Sequence, residues 1–204
     1  MKIFWDKIAP IYDAAESLNY KVYSKMLSYA VSLVPEGAKV LECAAGTGAI
    51  SVAVSKKAAH ITCTDLSMPM LEQARKKLHT KGITNITLEE RNIFHLSDED
   101  ETYDVVIAAN VLHLLDDPQA AVRELMRTVK KGGKLIVPTF ITSKPDNREM
   151  AAIKLYRLLG FNPSANYNAD TYFEMLKSCK TGGRLRMRVI SGLVPCAFAV
   201  IDKN

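Results

Sequence analysis

The sequence predicts an α/β protein with a mostly parallel, seven-stranded sheet, helices on both faces and an antiparallel hairpin at the carboxyl end. Between residues 38 and 140, short apolar runs alternate with amphipathic stretches, which is typical of parallel strands joined by crossover helices. Two further apolar runs, 185–190 and 196–201, are joined by only five residues, and so short a link favours an antiparallel pair. A chain of 204 residues is expected to form one domain.

The elements of the alternation have recognisable positions and ends. Its five strands are expected at 38–44, 61–65, 85–90, 105–110 and 135–140. Ser67 is a predicted N-cap for one helix, and Asp117, which precedes Pro118, is a predicted N-cap for another. This second helix is expected to end at residues 130–133, where two lysines and two glycines suit the carbonyl end of a helix.

The single domain, 1–204, divides into four expected parts. These are amino-terminal helices (1–34), the core of the sheet (35–140), a helical insertion that covers a substrate pocket (141–183) and the hairpin (184–204). Within the insertion, one helix is expected at 148–159. Thr171, with Glu174 three residues later, predicts a capping box at the start of the next helix.

The composition argues against several classes of protein. The 27 basic and 22 acidic residues leave a net charge of +5, well below that of a dedicated nucleic-acid binder. The four cysteines (43, 63, 179 and 196) have no zinc-site spacing, so no metal site is predicted and a reduced, cytoplasmic setting is expected. No apolar run reaches the length of a membrane-spanning helix, and the first residues lack the layout of a secretion signal.

The candidate ligand site is the glycine turn that follows the first strand. In an open α/β sheet, ligands bind beyond the carboxyl ends of the strands, and Gly46 and Gly48 let the backbone approach a ligand closely. Plain turn chemistry is an equally good account of the glycines alone. However, Glu42 would repel a pyrophosphate, and Ser51 replaces the third glycine of the dinucleotide fingerprint. The turn therefore favours a cationic ligand, such as one that carries an ammonium and a sulfonium group.

A second carboxylate, Asp65, ends the second strand. A carboxylate at this position can accept hydrogen bonds from the hydroxyls of a ribose. The alternative is an aspartate that only caps a helix or a turn. The presence of Glu42 at the end of the neighbouring strand favours the ribose interpretation.

Several motifs in the correct order resemble those of class I S-adenosylmethionine-dependent methyltransferases, in the small-molecule branch that includes the ubiquinone and menaquinone C-methyltransferases. The motifs lie at 5–13, 42–48, 65–67, 92–93, 103–113 and 131–135. The resemblance extends from Phe4 to about Val137. It implies a Rossmann-like fold, S-adenosylmethionine as cofactor and a small-molecule methyl acceptor, with the amino-terminal helices lying over the cofactor pocket.

The resemblance also implies which residues contact the cofactor. They are Glu42, Ala44, Gly46, Gly48, Asp65, Leu66, Met70, Asn92, Ile93 and Asn110. Ala44 stands where the family's turn has its first glycine. Asn92 stands where the family usually has an acidic residue that reads the adenine amino group.

Two residues are candidates for the methyl-transfer chemistry. His113, just past the fourth strand, is positioned to act as the general base that a hydroxyl or carbon-acid acceptor would need. A histidine between Leu112 and Leu114 is alternatively a structural or substrate-shaping residue. Tyr12 is expected either to close the pocket or position the nucleophile, or alternatively to pack the first helix.

Other functions remain as alternatives. A cofactor-binding protein that has lost catalysis is favoured by Ala44 and Asn92, and a nicotinamide oxidoreductase is a more distant candidate. Residues 110–113 lack the proline pair of amino-group base methyltransferases, so no nucleic-acid partner is expected. No stable membrane insertion is expected, because no apolar run is long enough. The chain is expected to be a monomer or a homodimer. Arg184, Arg186 and Arg188 share one strand face, which indicates either a solvated face or a surface for an anionic partner.

Overall fold

The computed structural model describes residues 2–142 and 164–204 and confirms the predicted fold class. Seven strands form one sheet in the order β3-β2-β1-β4-β5-β7-β6. The strands are β1 (Ala38–Cys43), β2 (Ala58–Asp65), β3 (Ile86–Glu90), β4 (Tyr103–Ile107), β5 (Val129–Phe140), β6 (Arg184–Ile190) and β7 (Cys196–Asp202). The helices are α1 (Lys2–Ile8), α2 (Tyr12–Ser17), α3 (Tyr20–Leu33), α4 (Ala49–Val54), α5 (Met68–Lys81), α6 (Pro118–Thr128) and α7 (Ala169–Ser178), with a 3₁₀ turn at Leu112–Leu114.

The strand order creates a switch point beside β1. β1 pairs in parallel with β2 on one side and with β4 on the other, so the chain first builds outward through β3 and then returns to the opposite side. In such sheets the crevice for a ligand lies at the carboxyl ends of the strands where the order reverses. The register places Glu42 of β1 beside Cys63 of β2 and beside Ile107 of β4 at that edge.

The predicted hairpin is confirmed. β7 lies between β5 and β6 and is antiparallel to both. Two of the three arginines on β6 have structural partners: Arg186 Nε lies 2.8 Å from Asp202 Oδ2, and the Arg188 guanidinium lies 4.5 Å from the centroid of the Tyr29 ring. These contacts favour the solvated strand face over a surface for an anionic partner.

The predicted end of helix α6 is wrong. The helix stops at Thr128 and β5 begins at the next residue, so the lysines and glycines of 130–133 are strand residues. Lys130 Nζ bonds to Asp104 Oδ1 at 2.7 Å, and Gly132 N donates to Lys203 O at 2.9 Å. These partners are distant in sequence, and they draw the segment into the sheet despite its local helix-ending composition.

Three other predicted helix features can be compared with the structure. Ser67 and Asp117 are confirmed as N-caps, since each side chain accepts a backbone N–H of the first turn. Thr171 is not the first residue of a capping box: Asn168 is the N-cap, its Oδ1 accepts Thr171 N at 2.8 Å, and Thr171 Oγ1 accepts Asn168 N at 2.9 Å. Asn and Thr are both good N-caps, and the structure uses the earlier residue. The helix expected at 148–159 lies outside the described residues.

Apolar residues fill both faces of the sheet. One buried cluster joins the strands to α6 and α7, and the other joins them to α3 and α4. All four cysteines are buried free thiols. None of the helices described in 2–142 and 164–204 has the length and apolar character needed to cross a membrane.

Candidate functional site

A cavity opens at the carboxyl edge of β1, β2 and β4, beneath helices α1 and α2. Its empty volume is about 760 Å³, part of it open to solvent, which is within the usual size range of small-molecule sites. Its lining residues come from seven parts of the fold and are mostly apolar. They are Trp5, Tyr12, Ala44, Gly46, Asp65, Leu66, Met70, Arg91, Ile93, Ala109, Asn110, Val111, Leu114 and Leu115.

The glycine turn after β1 is built from left-handed backbone. Ala44, Gly46 and Gly48 have φ angles of 52°, 54° and 72°. This conformation costs an L-residue roughly 1–2 kcal/mol and costs glycine little, so Ala44 bears a strain that a glycine there would lack. Gly46 lies close to the Tyr12 ring that covers the cavity, since a Cβ placed on Gly46 would lie 3.7 Å from Tyr12 Cε1.

Gly48 carries a second constraint, which a matched pair of variants can isolate. Gly37 has nearly the same φ (74°) with nothing within 4 Å of an added Cβ, whereas at Gly48 that atom would lie 3.2 Å from Ala74 Cβ and 3.6 Å from Cys63 Sγ. We expect Gly37→Ala to lower the free energy of unfolding by about 1 kcal/mol and Gly48→Ala by about 2 kcal/mol or more. Urea unfolding measures both losses, and equal losses would contradict the close packing of α5 on the turn.

Asp65 joins the turn to the start of helix α5. Its Oδ2 accepts Gly46 N at 2.7 Å and its Oδ1 accepts Ser67 N at 2.8 Å. Burial raises the pKa of Asp65, while the hydrogen bonds from Ser67 and Gly46 act in the opposite direction. Because a carboxylate has about four lone-pair sites, Asp65 can hold both backbone groups and still accept hydrogen bonds from a ligand in the cavity.

Glu42 lies behind the turn and does not line the cavity. Its side chain is buried, and its Oε2 accepts Ser51 N at 2.8 Å and also the Ser51 hydroxyl. The carboxylate therefore accepts a backbone N–H from the first turn of α4. The N-cap residue of this helix, Gly48, has no side chain that could accept it. In this structure Glu42 shapes the turn.

The β3 side of the cavity combines apolar side chains with one cation. Ile93 lines it, but Asn92 does not, and Asn92 Oδ1 instead accepts Phe94 N at 3.0 Å. Arg91, which the sequence interpretation omitted, also lines the cavity. Its guanidinium is held by Glu89 at 2.7 Å and by Asp98 at 2.5 Å.

The β4 side is apolar apart from Asn110. This residue has a φ of 52°, and its N–H donates to Pro138 O at 2.8 Å. Its Oδ1 is buried and accepts no hydrogen bond from the part of the chain that the structure describes. Buried polar atoms are normally satisfied, so this oxygen is a candidate acceptor for a donor group on a ligand.

The two catalytic candidates occupy different places. Tyr12 lines the cavity, and its ring centroid lies 6.0 Å from that of Trp5 in an edge-on contact. His113 is not among the lining residues: it is 3% exposed, and its Nδ1 lies 2.7 Å from Thr139 Oγ1. Burial lowers the pKa of His113 to about 4, so the ring is neutral near pH 7. This placement favours the structural alternative, while the catalytic role stays a prediction.

The structure brings eight of the twelve predicted site residues to the cavity wall. These eight are Tyr12, Ala44, Gly46, Asp65, Leu66, Met70, Ile93 and Asn110, while Glu42, Gly48, Asn92 and His113 do not line it. Six lining residues were not predicted as site residues: Trp5, Arg91, Ala109, Val111, Leu114 and Leu115. Trp5 belongs to the opening motif, Ala109 and Val111 lie within the fourth-strand motif, and Leu114 and Leu115 directly follow it. These sequence positions were the signal that could have identified them as site residues.

Known proteins are similar to this chain in sequence. Residues 41–137 match the family model of a methyltransferase domain. A ubiquinone/menaquinone biosynthesis C-methyltransferase of Shewanella woodyi is 36% identical over 129 residues, which are 61% of this chain and 50% of that protein. A demethylmenaquinone methyltransferase of Clavibacter sepedonicus is 29% identical over 142 residues, 68% of this chain and 57% of that one. The chain thus spans about half the length of these relatives.

Solved structures agree on the fold. A Thermotoga maritima S-adenosylmethionine-dependent methyltransferase superposes with a TM-score of 0.75 over the whole of both chains, at 18% identity. One from Aquifex aeolicus gives a TM-score of 0.67 at 19% identity, covering 93% of this chain and 97% of that one. The fold is therefore the Rossmann-like methyltransferase fold. Residues 41–137 are thus similar to a methyltransferase domain, and the fold matches that of structures named as S-adenosylmethionine-dependent methyltransferases.

Proposed function

We propose that this chain transfers a methyl group from S-adenosylmethionine to a small-molecule acceptor. The observation that supports this most directly is the cavity at the switch point of the sheet. It combines the Asp65 carboxylate, the left-handed turn and the buried Asn110 Oδ1 with walls that are otherwise apolar. This combination suits a ligand with a ribose, a cationic end and a flat apolar ring.

The residues present fit the cofactor part by part. Asp65 would accept the ribose hydroxyls, in the manner expected of a carboxylate at the end of a second strand. Leu66, Met70 and Ile93 would pack against the adenine. Asn110 Oδ1, as a buried acceptor, would receive a hydrogen bond from the ammonium group of the methionine end.

The chain's part in the chemistry is mainly orientation. The cofactor supplies an electrophilic methyl group on a sulfonium. Cavity residues that hold the acceptor atom about 3–3.5 Å from the methyl carbon can lower the reaction barrier by roughly 7–11 kcal/mol through positioning alone. Trp5, Tyr12, Leu114 and Leu115 form an aromatic and aliphatic surface that excludes water and holds the acceptor.

The acceptor is expected to be apolar at the end that enters the cavity. Among the described lining residues only Asp65 and Arg91 carry full charges, and both belong to the β2–β3 side. The β4 side, with Val111, Leu114 and Leu115, offers no charge to an ionic acceptor. One relative named as a ubiquinone/menaquinone biosynthesis C-methyltransferase and another named as a demethylmenaquinone methyltransferase support the same proposal. The methylated atom can be N, O, C or S.

The test combines a binding experiment with a turnover experiment. Isothermal titration of the chain with S-adenosylmethionine and S-adenosylhomocysteine is expected to give saturable binding at one site. Methyl-labelled cofactor is expected to label apolar small-molecule acceptors in a panel that also contains charged ones. Binding without turnover on any acceptor would favour the non-catalytic alternative. A rise in melting temperature with NADH but not with S-adenosylmethionine would contradict the proposal.

A further inference from the structure

Three polar groups from separate elements meet above the glycine turn. Asp13 Oδ1 of helix α2 accepts the Thr47 hydroxyl at 2.6 Å and Lys77 Nζ of helix α5 at 2.8 Å. Lys77 Nζ also donates to Thr47 Oγ1 at 2.7 Å. Thr47 lies between the two glycines of the turn, so this triad ties α2 directly to the ligand-binding backbone.

The triad lies next to Tyr12 and Trp5, the two aromatic residues that cover the cavity. Asp13 follows Tyr12, whose ring lies over Gly46 and contacts the ring of Trp5. Helix α1 has its own contact with the rim, since the Ser67 hydroxyl donates to Asp6 Oδ1 at 2.6 Å. Moving α2 away from the turn would therefore carry Tyr12 with it and take away the ring that packs against Trp5.

The strength of the triad suits a contact that opens and closes. Side-chain exposure is 24% for Lys77 and 51% for Asp13, so solvent screens the ion pair. Exposed pairs of this kind typically contribute about 0–1 kcal/mol to stability. Such a contact is too weak to hold the fold together and strong enough to bias the position of a short surface helix.

We propose that Lys77 is a positioning residue that latches helix α2 over the glycine turn, and that cofactor exchange requires this Asp13–Lys77–Thr47 latch to open. The cofactor half of this inference rests on the proposed function. The latch itself is a property of the chain. Lys77 acts through Asp13 on the position of Tyr12, and through the Tyr12 ring on the shielding of Trp5.

The single tryptophan makes the latch measurable without cofactor, because Trp5 is the only one in the chain. Lys77→Met removes the ammonium and keeps most of the aliphatic stem, and Lys76→Met is the matched control at an exposed neighbouring position. Acrylamide quenching of Trp5 fluorescence is expected to increase in Lys77→Met and to stay at the wild-type value in Lys76→Met. High salt is expected to shift the wild type toward Lys77→Met, since salt screens exposed charges.

Stopped-flow displacement of S-adenosylhomocysteine, followed through Trp5, tests the second half. Dissociation is expected to be about three- to tenfold faster in Lys77→Met and unchanged in Lys76→Met. Asp13→Ala should have the same effect, and combining it with Lys77→Met should add little, because both substitutions break one contact.

The outcomes separate the latch from the proposed function. If wild-type protein fails to bind S-adenosylhomocysteine, the proposed function fails, while the cofactor-free quenching still decides whether Lys77 holds α2 in place. If binding is normal but quenching and dissociation match the wild type in Lys77→Met, the latch is overturned. A lower melting temperature with unchanged quenching would overturn it equally, since that is the result of a merely structural lysine.

Discussion

Replacing Asp65 with alanine is expected to weaken the binding of S-adenosylmethionine and S-adenosylhomocysteine by at least tenfold. Hydrogen bonds to a charged group are worth about 1.5–3 kcal/mol, which corresponds to roughly 10- to 150-fold in affinity. The substitution also removes the acceptor of the Gly46 and Ser67 N–H groups, which lie 2.7 and 2.8 Å from the carboxylate. Both effects act on the same cavity wall, and titration calorimetry measures their sum.

A control at the opposite edge of the sheet separates a local effect from general destabilisation. Asp104 also binds one backbone N–H (Lys39, 2.7 Å) and has a further partner in Lys130, but it lies at the amino end of β4, away from the cavity. We expect Asp104→Ala to reduce stability and leave cofactor affinity nearly unchanged. Asp65→Asn, which keeps an acceptor oxygen without the charge, should have an intermediate affinity. Unchanged affinity in Asp65→Ala would remove Asp65 from the site.

Local sequence predicts the parts of this fold that depend on local interactions. Ser67 and Asp117 are N-caps because each side chain satisfies a backbone N–H three residues later, a bond that needs no other part of the chain. The beginning of β5 is different, since it depends on Asp104 and Lys203, which the chain brings together only after folding. A helix-ending composition at 130–133 was therefore a misleading guide to its structure.

The site was predicted as a set of positions rather than as a set of side-chain directions. Asp65 and Gly46 line the cavity because the carboxyl ends of parallel strands face it. In the segment after β4, the motif did not show which side chains point inward. Residues three apart share a face in a 3₁₀ turn, so Val111 and Leu114 both line the cavity while His113 points into the core.

The buried His113 is expected to make stability depend on pH in a defined window. The folded pKa is about 4 and the ordinary value is 6.5, so between these values the unfolded chain binds the additional proton. Stability therefore falls as pH decreases from about 6.5 to 4, by about 3 kcal/mol in all, and the contribution of this group is constant below that range. Urea unfolding at pH 7.0 and at pH 4.5 measures most of the loss.

The variant His113→Gln should be less stable than wild type at pH 7 but should lack this component, since glutamine does not titrate. Comparing the two proteins separates the contribution of His113 to the pH dependence of stability from that of carboxylates that titrate in the same pH range. His60→Gln, at an exposed position, controls for the loss of a histidine. Equal pH dependence in His113→Gln and wild type would contradict the depressed pKa. The same variant addresses catalysis: loss of a general base would lower kcat by about 10²–10⁴-fold in protein that remains folded. A structural histidine that orders the Leu112–Leu114 turn through Thr139 predicts instead that activity follows the folded fraction.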